Sequence, residues 1–295
     1  MIPVANLPPW LILDPLLQSW LAEDIGRGDR TTQALWPNQI AAPLGQAELR
    51  LKQSGVIAGL ALFQRVFHLL SSEVIVKPLV KDGEACQLGT VVAELQGPIS
   101  ALLMGERVAL NLIMPLSGIA TLTRTYADQI ADLSTQLVDT RKTTPGFRIL
   151  EKYATQVGGA MNHRLGLDDA VMIKDNHIVA AGGIGEAVSR IRQQIPFPLA
   201  IEVETETLAQ VQLALAHQVD IIMLDNMDAD LMATAVKLIQ ANHSAHSIKI
   251  EASGNINLQT IRAVAETGVD FISTSATITQ ARWLDFSLKF MNESE

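Results

Sequence analysis

A chain of 295 residues, 48% hydrophobic and 18% charged, can bury a large core as one big domain or two. Its formal net charge of -9 argues against nonspecific nucleic-acid binding, which requires a basic face. A single cysteine, Cys86, excludes an internal disulfide framework and any metal site built from clustered cysteines.

The elements follow in chain order. The first cation is Arg27, so the N-terminus lacks the basic stretch of a secretory signal. Apolar runs such as VIAGLALF (56–63) are too short to cross a bilayer. A cytoplasmic protein with no membrane partner is expected. LDPLLQSWLAEDIG (13–26) reads as a helix, with Asp14 as N-cap, Pro15 at the first helical position and Gly26 at the stop. From residue 46 short alternating runs (AELRLKQSG, VIVKPLV, TVVAELQG) surround one helix, LALFQRVFHLL, which predicts an α+β layer with a small sheet. On a helical wheel, residues 101–114 are apolar almost all round, which predicts burial. Arg107 lies on the stripe with Leu103, Leu110 and Met114. It either snorkels to water or a carboxylate, or aims its guanidinium at an anionic ligand.

After residue 135 the pattern becomes rhythmic. Apolar runs recur at 135–140, 169–175, 198–205, 219–226, 247–254 and 269–276, with amphipathic helical stretches between them. Alternating βα units predict a parallel sheet covered by helices. Six units fit a barrel short of eight strands or a doubly wound sheet; a full eightfold barrel needs about 250 residues.

The polar residues collect at the C-terminal ends of these runs: Thr140-Arg141-Lys142, Lys174-Asp175-Asn176-His177, Glu202 with Glu204, Asp225-Asn226, Glu251 with Ser253-Gly254-Asn255, and Thr274-Ser275. That edge is where α/β sheets and barrels bind ligands. One charged strand end is explained by a solvated loop; six in succession predict a site. The cations Arg141, Lys142, His163, Arg164 and Lys174, with Arg107 as a further candidate, suit a small anion carrying carboxylates or phosphates. The anions Glu202, Glu204, Asp225 and Glu251 suit sugar hydroxyls, a hard divalent metal or a developing positive charge. The small-residue turns SGN (253–255) and STSA (273–276) can present backbone N–H groups to a phosphate. No nucleophile–base pair and no Walker loop stands out, so positioning and electrostatics are the expected means of catalysis.

The blocks GERVALN (105–111), DTRKTTPGFR (139–148), EKYATQVGGAMNHRLGLDDAVMIKDNHI (151–178), IEVET (201–205), IMLDNM (222–227) and IEASGNI (250–256) resemble, in order and with compatible spacing, the signatures of the quinolinate phosphoribosyltransferases. The resemblance implies transfer of phosphoribosyl from 5-phosphoribosyl 1-diphosphate to quinolinate with Mg²⁺, releasing diphosphate and CO2 and giving nicotinate mononucleotide for NAD biosynthesis. It implies an N-terminal α/β sandwich (1–117, joined by 280–295) and an open, incomplete α/β barrel (118–279). It also implies a homodimer in which Arg107 reaches quinolinate in the partner's site. By the same resemblance, Arg141, His163 and Arg164 hold the carboxylates, with Thr140 beside them. Lys142 and Lys174 serve the same cationic pocket or the phosphates, and Glu204 and Asp225 lie by the ribose and its metal. Lys142, Lys174, Glu204 and Asp225 make up the catalytic set. Ser253, Gly254 and Asn255, with Thr274, Ser275 and Ala276, cradle the 5-phosphate. One position departs from the family pattern: Ser275 stands where the last phosphate turn usually has Gly.

Two other readings compete. A related phosphoribosyltransferase of the same fold would take another pyridine or a molybdate-linked substrate; the four cations Arg107, Arg141, His163 and Arg164 favour a dicarboxylate. A non-catalytic carrier of lipoyl type is suggested by VKDGEACQLGTVVAELQG, but the hairpin tip lacks a lysine and the charged strand ends would be idle.

Overall fold

A computed structural model describes residues 5–36, 43–242 and 248–291. The chain opens with α1 (Trp10–Ile25) and the short α2 (Arg30–Leu35). The helix α1 starts at Trp10, five residues before Pro15, the predicted first helical position. Pro9 occupies the N-cap and Pro15 lies inside the helix, while Asp14 is taken up by Arg65, with both carboxylate oxygens accepting from the guanidinium at 2.8 and 2.6 Å. Gly26, at φ 54°, ends the helix as expected.

Next come β1 (Leu44–Leu51), β2 (Gly55–Val56), α3 (Leu60–Leu70), β3 (Ile75–Pro78), β4 (Ala85–Cys86) and β5 (Val91–Pro98). The helix α3 begins where Asp82 accepts the N–H groups of Gly59 (2.9 Å) and Leu60 (3.1 Å), which supplies the missing partners of its first turn. The long α4 (Ile99–Asp128) follows. By length and composition alone α4 could span a bilayer, which the inspection of shorter apolar runs overlooks; 56% of its most apolar window is buried inside the protein. Nor is it buried all round. Arg107 and Asn111 are exposed, a correction to the helical-wheel expectation. The reason is geometric: one flank of α4 packs on α3, while its 103–107–111–114 flank is left uncovered or half-covered. Further along, Gly118 lets α4 touch the return strand region, since a Cβ there would lie 2.0 Å from the carbonyl oxygen of Arg282.

Six strands then alternate with helices: β6 (Gln136–Val138), α5 (Arg148–Gly158), β7 (Val171–Ile173), α6 (Asp175–Ala181), α7 (Ile184–Arg192), β8 (Ile201–Thr205), α8 (Leu208–Ala216), β9 (Ile221–Asp225), α9 (Ala229–Gln240), β10 (Lys249–Ser253), α10 (Ile261–Ala265), β11 (Phe271–Ser273) and α11 (Ala276–Thr279). The strand predicted over 247–254 is therefore present, with residue 247 outside the described residues. Local signals set helix starts: Thr207 and Gln210 form a reciprocal capping box on α8, and Asp228 caps α9 at Leu231 N (2.8 Å). These six strands form one parallel sheet in the order β6-β11-β10-β9-β8-β7. Its edge strands do not pair with each other, so the sheet is not closed into a barrel.

The last strand, β12 (Phe286–Phe290), returns to the first half of the chain and pairs antiparallel with β1, giving a four-stranded sheet β12-β1-β5-β3. Two apolar cores result. One lies under the antiparallel sheet, around Leu49, Phe63, Phe67 and Leu102; the other lies between the parallel sheet and its helices, around Ile201, Val203, Ile222 and Val236.

Candidate active site

The parallel sheet is built on a strict alternation. Ile173, Ile201, Val203, Ile222, Leu224, Ile250, Ala252 and Ile272 point one way, into the helix-covered core. The opposite parity carries Met172, Glu202, Glu204, Met223, Asp225, Glu251, Ser253 and Ser273. Strand register aligns Glu204 with Met223 and Glu251, and Asp225 with Ser253. The second set faces the concave side, because side chains alternate across a strand. A cavity of about 470 Å³ opens there, at the C-terminal strand ends.

Most of the sequence-derived site residues meet in this cavity: Thr140, Arg141, Lys142, His163, Arg164, Lys174, Glu204, Asp225, Ser253, Gly254 and Asn255. Of the residues assigned to the substrates, four do not line it, and Glu202 lies beneath it. Arg107 is exposed on α4, while Thr274, Ser275 and Ala276 lie just beyond, with Thr274 and Ala276 buried and Ser273 at the wall in their place. Ser275 has φ -83°, so the backbone at that turn does not demand glycine. Glu251, Met172, Met223, Ser273 and Asn226 complete the lining. The two methionines and Ser273 are missed when the strands are read as continuous apolar runs. Extending the parity of Glu202 and Glu204 to the neighbouring strands would have found them.

One wall is cationic. Burial and the neighbouring Arg141 guanidinium lower the pKa of Arg164, so two like charges stand close together with desolvation added. An anion placed between them relieves both effects. Lys174 donates to Glu204 at 2.5 Å, at the boundary with the acidic wall. There, burial and next Glu204 raise the pKa of Asp225, with Lys174 opposing.

The floor is a buried trio. His163 Nε2 lies 3.2 Å from Glu202 and 3.5 Å from Glu251. Burial lowers the imidazole pKa, but the two carboxylates outweigh it and push it up to about 10. Burial first, then Glu251, raises Glu202. The three side chains offer ligand atoms within 4.8 Å of one another, a spacing that a metal ion could use. However, the two carboxylates keep the ring protonated at Nε2, the nitrogen that faces them, so it donates rather than offering a lone pair. That nitrogen is a donor here, and the trio is a proton-sharing cluster.

The fourth wall is a turn. Asn226 and Asn255 both adopt left-handed backbone, at φ 54° and 56°. Asn226 Nδ2 donates to Asp225 (2.7 Å) and its Oδ1 accepts from Asn255 Nδ2 (3.1 Å). Its backbone N–H donates to the Ser253 carbonyl (3.0 Å). Between them Gly254, at φ 87°, has no room for a side chain, because a Cβ would lie 2.2 Å from Asn226 Oδ1. The acidic wall and the glycine turn are thus tied together by one asparagine.

The fold and the pocket define a class: an open α/β barrel with a cavity at its strand C-termini that sets a cationic wall beside carboxylates. Comparison with known proteins is specific. Residues 29–117 match the quinolinate phosphoribosyl transferase N-terminal domain and residues 119–289 its C-terminal domain. A probable nicotinate-nucleotide pyrophosphorylase [carboxylating] of Synechocystis sp. is 59% identical over 290 residues, covering 98% of this chain and 96% of that protein. One from Bacillus subtilis is 45% identical, covering 94% and 93%. The crystal structure of NadC from Streptococcus pyogenes superposes with a TM-score of 0.89 at 40% identity, covering 97% of this chain and 99% of that one. The chain belongs to the quinolinate phosphoribosyl transferase family.

Proposed function

We propose that this pocket transfers phosphoribosyl from 5-phosphoribosyl 1-diphosphate to quinolinate, with loss of CO2, to give nicotinate mononucleotide. The observation that carries the reading is the division of one cavity into a cationic wall (Arg141, Lys142, Arg164, Lys174), an acidic wall (Glu204, Asp225) and a glycine turn (Ser253–Asn255). A dicarboxylate fits the first, a ribose the second and a phosphate the third. In this reading diphosphate leaves C1 of the ribose as Lys142 and Lys174 neutralise it. Glu204 and Asp225 favour the positive charge that develops on the sugar. The pyridine nitrogen, aligned by the arginines' hold on the carboxylates, attacks C1; the pyridinium then stabilises the electron pair that the departing CO2 leaves on the adjacent ring carbon, and a proton from water fills that position. Alignment of the two substrates is the chain's main contribution.

The same reading includes Mg²⁺. Glu204 and Asp225 offer hard oxygen donors beside the place of the diphosphate, a set that fits this ion. The ion would neutralise the leaving diphosphate. A homodimer and a cytoplasmic location belong to the reading too. Support for the dimer is that Arg107 is exposed and lies outside the pocket of its own chain.

The direct test is CO2 release from carboxyl-labelled quinolinate, dependent on 5-phosphoribosyl 1-diphosphate and Mg²⁺. Equal diphosphate release with nicotinate would sink the assignment. Subunit sharing has its own test. Arg107→Ala and Lys174→Ala homodimers should each be nearly inactive. Random exchange should restore about a quarter of wild-type activity, because half the dimers are mixed and each then has one intact site. No recovery under confirmed exchange would place Arg107's role within its own chain.

A further inference from the structure

Behind the cationic wall lies a second charged pair that never reaches the pocket. Lys152 on α5 and Asp139 at the end of β6 are fully buried, and Lys152 Nζ donates to Asp139 Oδ1 at 2.5 Å. Burial pushes the carboxyl up and the ammonium down, against their mutual attraction. A buried ion pair is poor evidence for stability, because desolvation cancels much of the Coulomb gain. Its partners suggest another use.

All four lone-pair directions of Asp139 are taken. Oδ1 accepts from Lys152 and from the backbone N–H of His163 (2.9 Å). Oδ2 accepts from Thr155 Oγ1 (2.8 Å) and, in the amide orientation that satisfies its neighbours, from Asn162 (2.7 Å). Lys152 Nζ also donates to the backbone carbonyl of His163 (2.8 Å). The stretch 162–164 belongs to no helix or strand, so no ladder satisfies its polar backbone. The ion pair takes both backbone groups of His163 instead. Asp139 also directly precedes Thr140-Arg141-Lys142 in the chain.

We propose that Asp139 and Lys152 act as positioning residues for quinolinate recognition: one buried ion pair fixes the backbone of His163 and locks the His163-Arg164 turn in register with Arg141 and Lys142. The pair touches no substrate. It sets the spacing of the two guanidinium groups and keeps the His163 ring over Glu202 and Glu251. This inference rests on the proposed reaction for the identity of the anion.

The test exploits the difference between stability and register. In full-length protein, Lys152→Met alone leaves a buried carboxylate unpaired and should lower both the melting temperature and quinolinate affinity. The double variant Asp139→Leu/Lys152→Met replaces the pair by apolar side chains and should recover most of the melting temperature. Its KM for quinolinate should stay at least tenfold above wild type, with KM for 5-phosphoribosyl 1-diphosphate within twofold. Return of the quinolinate KM to within twofold, or an equal rise in both KM values, would overturn the proposal. Should the double variant not fold, the isosteric Asp139→Asn decides by the same comparison of the two KM values. A readout independent of turnover separates this claim from the reaction itself. NMR titration of the His163 ring should show its pKa falling by at least one unit in whichever variant folds, as the ring leaves the carboxylates. An unchanged pKa there overturns the positioning role even if wild-type enzyme proves inactive on quinolinate.

Discussion

The antiparallel sandwich and the open barrel use the same two-residue period to opposite ends. In the sandwich the inward parity is apolar: Leu49, Leu51 and Leu95 of the sheet meet Phe63, Phe67 and Leu102 of the helices, all 2% exposed or less. In the barrel the apolar parity faces outward to the helices, and the concave side carries Glu202, Glu204, Asp225 and Glu251. The first region devotes its interior to cohesion. The second obtains cohesion from its outer shell alone and leaves its interior for charge, which must then be paired within the protein or by a ligand. Substitutions inside the sandwich should therefore cost stability, and substitutions inside the barrel should cost function.

The largest effect should come from the sandwich. Phe63→Ala removes a fully buried ring packed edge-on against Phe67, with centroids 5.2 Å apart. It should destabilise by about 3–5 kcal/mol. Denaturant titration reads this, and kcat per folded molecule should be unchanged; a stable variant with lost turnover would erase the contrast.

The cationic wall comes next. Arg141→Ala and Arg164→Ala each remove a charge-assisted contact worth about 1.5–3 kcal/mol, or roughly 10- to 150-fold in quinolinate affinity. Arg141→Ala relieves the like charge beside Arg164, so its melting temperature should hold or rise slightly, whereas Arg164→Ala also forfeits the bond to the Ala170 carbonyl (2.8 Å) and should melt somewhat lower. Calorimetry with quinolinate and a thermal melt check both halves; unaltered affinity in both variants would remove them from the site.

Asn226→Gly is subtler. Glycine keeps the left-handed backbone while the amide bridge from Asp225 to Asn255 disappears. One net hydrogen bond of about 0.5–1.5 kcal/mol corresponds to a rise of up to roughly tenfold in KM for 5-phosphoribosyl 1-diphosphate. The quinolinate KM should stay put, and steady-state kinetics with each substrate varied in turn would reveal a shift on the wrong side.

A further effect is in the pH dependence of stability. His163 is held above its ordinary pKa of about 6.5, up to about 10. Its stabilisation is thus complete below about 6.5 and fades as pH climbs toward about 10. His163→Gln should therefore lower stability by a constant amount on the acid side, and the two curves should converge as pH rises toward about 10. Parallel curves for wild type and variant would show that Glu202 and Glu251 do not hold the proton.

Much of the barrel was legible because each strand run is short, apolar and followed by a polar end, so all six strands could be placed from periodicity. The pocket's charged residues were legible for the same reason. Arg107 was not, since a helical wheel shows which residues share a stripe but not which flank a neighbour covers. Asp14 was misread because an N-cap signal and an ion-pair partner look alike until Arg65, 51 residues on, is in place. Lys152 and Asp139 gave no signal beyond the family block, since burial of a charge depends on contacts that span β6, α5 and the turn after Met161. Asn226 was seen as a strand end, while its bridging role depends on the loop after β10.

The pairing of β12 with β1 has a consequence for the chain's synthesis. Until Phe286 emerges, one side of β1 has no partner, although β5 has long been available to the other. At about 5–20 residues per second, the stretch from Leu51 to Phe286 takes roughly 10–50 s. Through that interval the nascent sheet has an open border where a foreign strand could add. Glu48 and Arg50 lie on that border, joined to each other at 2.5 Å. Charges of this kind deter edge-to-edge pairing, so the first sheet to be made carries its own guard while it waits for the last strand.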